Sequence, residues 1–239
     1  MTPGWLSAAA DEFWALAGDP SPFPRDLGRS LAYALPISLV MLDRLAAAGV
    51  EDWLARRDID YQFATPSRPL RGCLVAFRGR GLIFVDGTDA PADQRFTLAH
   101  EIAHYLLDYH TPREIAIRRL GESILPVLDG DRPATQAERI DAAITATTTR
   151  FYVHLFDRHR SDSRVDTAER RADLLAYELL APDAALATAV GSSPSATVRN
   201  VTDVLVAAFG MPLDAAEDYA TRWLRPRRPA ESHFSWLRP

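Results

Sequence analysis

The chain has 239 residues, 47% of them hydrophobic and 25% charged, which is enough to bury a core of the kind a globular enzyme needs. A net charge of -5 argues against a nucleic-acid-binding surface over much of the molecule. One cysteine, Cys73, rules out an internal disulfide and suits a reducing compartment.

In chain order, the apolar spacing predicts a helix from Trp5 to Leu16, broken by Asp19-Pro20-Ser21-Pro22-Phe23-Pro24. A second helix is expected from about Ile37 to Ala48, with Leu39, Leu42 and Leu45 on its apolar face and Gly49 at its end. The period then changes. Cys73 to Phe77 and Leu82 to Val85 are β-rich runs around Arg78-Gly79-Arg80-Gly81 and read as a hairpin, with Cys73 a buried, inert thiol. A strand from Ile59 to Phe63 would complete a small antiparallel sheet. After the turn Asp86-Gly87-Thr88-Asp89 comes an apolar helix from about Asp93 to Tyr109.

Beyond it, Thr135-Gln136-Ala137-Glu138 has the form of a capping box opening a helix, and Phe151 to Phe156 reads as a strand. Helices are expected from Asp166 or Thr167 to just before Pro182, from Val198 to Phe209 and from Leu213 to Trp223. The cluster Arg225-Pro226-Arg227-Arg228-Pro229 reads as a solvated tail. No apolar run reaches the roughly 18 residues of a membrane span, and the start lacks a cationic stretch leading into an apolar one, so no membrane contact and a cytoplasmic location are expected.

The chemistry concentrates in His100-Glu101-Ile102-Ala103-His104. Residues four apart share a helix face, so two imidazoles so placed can hold one tetrahedral Zn²⁺ ion. Glu101 projects beside the pair, where it can take a proton from the attacking water and pass it to a leaving amine. Phe96, Leu98, Ile102, Leu106 and Leu107 make this helix apolar on most sides, so the polar trio should be buried, at a cost that a metal would offset. The alternative is a pair of satisfied core histidines.

Two residues compete for third ligand. His110 has the spacing of the metzincin pattern, but that pattern needs a glycine where Leu107 stands; if the helix continues, His110 lies about 15 Å along the axis from His100 and reads as a helix-end residue. Glu169 lies in Glu169-Arg170-Arg171-Ala172-Asp173, where two acids fall four apart on one helical face. In that arrangement Glu169 binds zinc, and Asp173 accepts a hydrogen bond from a ligating imidazole and fixes its tautomer. The alternative is a solvated acidic face. As donors for a developing oxyanion, Tyr152, His154 and His159 come into question, and His154 is kept as the candidate oxyanion or proton donor.

Two blocks resemble the ImmA/IrrE metallopeptidases. Arg95-Phe96-Thr97-Leu98-Ala99-His100-Glu101-Ile102-Ala103-His104 is similar to the family's metal helix, and the stretch from Glu169-Arg170-Arg171-Ala172-Asp173 to Leu179-Leu180-Ala181-Pro182 to its second helix, with Leu175 and Ala181 as mild departures. The resemblance covers roughly Leu35 to Pro182 and implies Zn²⁺ held by His100, His104 and Glu169. It implies an α+β fold: a mainly helical, zincin-like domain with a small antiparallel sheet against the metal helix. The whole chain is then expected to be one domain, with an N-terminal helical extension (1–35), a core (36–182) and a C-terminal helical part (183–239). The separation of His104 from Glu169 exceeds the family's pattern, which marks about 111–165 as an insertion beside or over the cleft. The implied activity is an intracellular endopeptidase acting on one protein, a separately encoded helix-turn-helix repressor being the expected partner. A catalytically silent zinc-binding module and a zinc hydrolase acting on a small molecule are the competing functions, and the intact Glu101 speaks against the first.

Overall fold

The computed structural model describes residues 4–18, 22–64, 66–140, 151–158, 167–191 and 196–225. Its sheet is built around the expected hairpin. Strands β2 (Leu70–Phe77) and β3 (Arg80–Asp86) pair antiparallel with Phe77 opposite Arg80, leaving a two-residue turn. Both turn residues have left-handed backbone, Arg78 at φ 48° and Gly79 at φ 75°, as the tight turn between right-twisting strands requires.

Two expectations are corrected here. The segment from Ile37 is strand β1 (Ile37–Leu42), paired parallel to β3, and the helix follows later as α3 (Ala47–Ala55). Leu39, Leu42 and Leu45 do have helical spacing, but non-local pairing with Gly81–Asp86 overrides it. Ile59 to Phe63 forms no strand; Phe63 donates its amide to Glu51 Oε1 at 2.6 Å, and Tyr61 packs on Phe63 and Phe151. The fourth strand is instead β4 (Tyr152–Asp157), antiparallel to β2, in the order β1-β3-β2-β4. The sheet is therefore mixed rather than antiparallel throughout.

Both faces of the sheet are covered. Cys73, Val75 and Phe84 pack with Leu45, Val50 and Leu54 on the α3 side. Leu74, Ala76, Ile83 and Val85 face the larger core under α4 (Pro91–His104). That helix does not stop at Tyr109: a π-helical segment, Tyr105–His110, carries it into α5 (Thr111–Leu120). The capping box forms as read, Thr135 and Glu138 exchanging hydrogen bonds of 2.7 and 3.3 Å ahead of α7 (Gln136–Ile140), which follows the short α6 (Leu125–Leu128). Helices α1 (Gly4–Ala17) and α2 (Leu27–Ala34) close one side of the large core through Leu6, Phe13, Leu27 and Leu31. Helix α8 (Thr167–Leu180) lies against α4, followed by α9 (Asp183–Val190), α10 (Val198–Phe209) and α11 (Leu213–Leu224). Among the described residues no helix is long and apolar enough to cross a membrane.

The end of β3 is pinned by a buried acid. Asp86 accepts from the amides of Arg44, Leu45 and Thr88 and from the Thr88 hydroxyl, and pairs with Arg158 at 2.6 Å. Burial pushes its carboxyl upward, but the Thr88 contacts, Arg158 and the Leu45 amide outweigh it and hold it at about 2. A depressed carboxyl contributes stability that is present above the unfolded value of 3.8 and lost as pH falls through about 2. In denaturant unfolding, the stability gap between wild type and Asp86→Asn should narrow by about 2 kcal/mol across that window. A gap independent of pH would show that the ionised carboxylate is not what matters.

Candidate metal centre

Helix α4 is buried from Phe96 to His104, and its sequence puts His100 and His104 one turn apart on the same face. Their Nε2 atoms stand 3.2 Å from each other. Helix α8 approaches closely, with Ala99 and Ala103 on one helix and Ala172 and Ala176 on the other fully buried. That approach sets Glu169 opposite the imidazoles, Oε1 at 3.3 Å from His104 Nε2 and Oε2 at 3.6 Å from His100 Nε2. One turn further along α8, Asp173 Oδ1 lies 3.0 Å from His100 Nδ1.

Strand β4 completes the group. Its alternation turns Tyr152, His154 and Phe156 toward α4, and Val153 and Leu155 toward the other face. His154 reaches Glu101 Oε2 with Nδ1 at 2.9 Å and Glu169 Oε1 with Nε2 at 2.8 Å, its ring stacked on His104 with centroids 3.7 Å apart. Phe156 stacks on His100 at 4.4 Å. Burial opposes a charge on His154, but the Glu101 and Glu169 carboxylates outweigh it and push its pKa up to about 10. Burial likewise pushes Glu169 upward, yet the imidazoles, His100 first, hold its carboxyl well below the usual range.

The donor set fits a metal ion. Ligands at roughly 2.0–2.1 Å from a tetrahedral zinc stand about 3.3 Å from one another, and the contacts among His100, His104 and Glu169 run from 3.2 to 3.6 Å. His100, His104, His154 and Glu169 each bring one donor atom to within 4.8 Å of the others, so among the described residues these four can hold a metal ion. Glu101 is buried beside them, its Oε1 without a hydrogen-bond partner and turned to β2. Only a glycine fits there: a Cβ on Gly72 would stand 2.5 Å from Thr97 Cγ2 and 3.0 Å from Glu101 Oε1.

Of the residues read from the sequence, the structure brings His100, Glu101, His104, His154, Glu169 and Asp173 together. His154 sits deeper than a rim donor would, between two carboxylates. His110 is elsewhere, stacked on Tyr105 at 5.7 Å and outside the group; since the helix runs on to Leu120, it is no helix-end residue. His159 lies outside the described residues. Asp108 was not foreseen: its Oδ2 is 2.8 Å from His104 Nδ1 and accepts from Tyr152 Oη at 3.3 Å. An acid four positions after His104 was the available signal. The π-helical segment also fastens α4 to the hairpin, Tyr105 Oη donating to the Gly79 carbonyl at 2.9 Å and the Gly79 amide donating to Tyr109 Oη at 2.7 Å.

No curated protein matches the chain. A family model does: the IrrE N-terminal-like domain of a peptidase family matches residues 58–165, a little under half of the sequence. The matched stretch contains His100, Glu101, His104 and His154 and stops short of Glu169. Over residues 58–165 the chain is thus similar to the IrrE N-terminal-like domain, the family its metal helix resembles.

Proposed function

We propose that this protein is a zinc-dependent endopeptidase of the cytoplasm that cuts one specific protein, a separately encoded helix-turn-helix regulator. The observation that carries the metallopeptidase reading is the convergence of two helix-borne imidazole Nε2 atoms and the Glu169 carboxylate beside a buried Glu101. The match to the IrrE N-terminal-like domain supports it; the repressor target rests on the family resemblance alone.

His100, His104 and Glu169 would hold the ion, and Asp173 and Asp108 would keep the two imidazoles in the tautomer that turns Nε2 inward. A bound zinc supplies a Lewis acid that polarises the scissile carbonyl and makes water acidic enough to attack near neutral pH. Glu101 is the base that accepts the attacking water's proton and returns it to the leaving amine. His154 holds Glu101 in place through Nδ1. The rings of Phe96 and Phe156 pack against His100 and shield that side of the group from bulk water, which strengthens the charge interactions inside.

The purified protein should contain one zinc per chain. Glu169→Ala should lose it and His110→Ala should keep it, as metal analysis of the desalted proteins will tell. The reverse pattern would replace the ligand set. Disappearance of a co-expressed helix-turn-helix regulator, with defined fragments in its place, tests the partner separately.

A further inference from the structure

The three imidazoles repeat one pattern. Each has its Nδ1 on a carboxylate: His100 on Asp173 at 3.0 Å, His104 on Asp108 at 2.8 Å and His154 on Glu101 at 2.9 Å. Each has its Nε2 against the single carboxylate that faces inward, Glu169, at 3.6, 3.3 and 2.8 Å. A carboxylate behind the far nitrogen is the usual support of a metal-bound histidine, because it fixes the tautomer and raises the basicity of the ligating nitrogen. By that criterion His154 is built as a ligand in the same way as the two histidines of the metal helix.

Catalytic zinc sites leave one position open to water, whereas four protein ligands close the shell. Here the fourth corner is taken. His154 stacks on His104 with its Nε2 in the group of four donors, and its backbone is fixed in register with Leu74. Glu101 is turned to match, one oxygen on His154 and the other buried against Gly72 without a partner, so neither faces open solvent.

We propose, on the basis of the metalloprotein reading above, that the resting protein holds its ion with four side chains, His100, His104, His154 and Glu169, and that Glu101 then serves as the carboxylate supporting His154. Hydrolysis requires His154 to leave its corner, which frees a coordination position and the Glu101 carboxylate in one movement. The strand that carries it suits this. β4 lies at the edge of the described sheet, paired to β2 alone.

The test is a titration of the metal-free full-length protein with zinc and with cobalt(II), whose visible spectrum reports the coordination shell, with azide as an added ligand. Wild type should give a tetrahedral cobalt spectrum indifferent to azide. His154→Ala should bind zinc at least about 10–100-fold more weakly, the loss typical of removing even a supporting group, and its cobalt spectrum should shift with azide. Glu101→Gln should weaken zinc binding by about 10–100-fold and keep the wild-type spectrum. Circular dichroism of the metal-free variants checks folding; should His154→Ala fail to fold, the Glu101→Gln affinity and the wild-type response to azide decide. Unchanged affinity in His154→Ala, with azide shifting both spectra alike, would overturn the fourth ligand and leave the three-ligand peptidase standing. A wild type that binds neither metal would remove the metalloprotein reading, and this inference with it.

Discussion

Glu101→Gln, assayed at saturating zinc, should cleave its substrate about 10²–10⁴-fold more slowly than wild type, the usual contribution of a general base. The substitution preserves volume and a hydrogen-bonding group, and Glu101 is buried in the α4 helix, so fold and helix packing should survive. What it removes is the basic oxygen that faces His154 at 2.9 Å. Saturating zinc separates the loss of a base from any loss of affinity, because metal occupancy is then equal in both proteins. A mutant that cleaves as fast as wild type would strip Glu101 of its catalytic role, whatever its effect on zinc. A lower rate with an unchanged KM would place the loss in the transition state rather than in binding.

Gly72→Ala is the second large effect, and it comes from one methyl group. The added Cβ would meet Thr97 Cγ2 at 2.5 Å and Glu101 Oε1 at 3.0 Å, two side chains that are both fully buried. Overpacking of this kind destabilises by about 1–3 kcal/mol. The atom met on Glu101 is the far end of a flexible side chain, so the same substitution should shift it, weaken its contact with His154 and depress hydrolysis. Thr97→Ser removes the nearer obstacle, and the double mutant should regain part of the stability, a coupling that a double-mutant cycle measures. Wild-type stability in Gly72→Ala would contradict the close packing of β2 on α4.

The metal helix was legible because its information is local: two histidines four apart, with apolar neighbours on most sides, fix a face and its burial. The β2–β3 hairpin was legible for the same reason, two β-rich runs around Arg78-Gly79. Glu169 and Asp173 were readable as a pair on one helical face, but their nearness to His100 and His104 depends on the packing of α8 on α4, which no local period encodes. His154 alternates with Tyr152 and Phe156, so its face could be read, yet only the register of β4 on β2 decides that this face meets the metal helix. Ile37 to Leu42 went astray because parallel pairing with β3 is non-local and its leucines happen to fall at helical spacing. The π-helical segment after His104 has no sequence signal in this chain that we can name.

Gly79 shows how the hairpin and the metal helix are tied. Its amide and carbonyl are both taken by phenols one helical turn apart, Tyr109 and Tyr105, the latter directly following His104. A turn amide normally exchanges its hydrogen with solvent freely, but this one is exposed only when turn and helix separate. Its exchange rate is thus a clock for the opening of the metal helix, readable at a residue that touches neither ligand nor substrate.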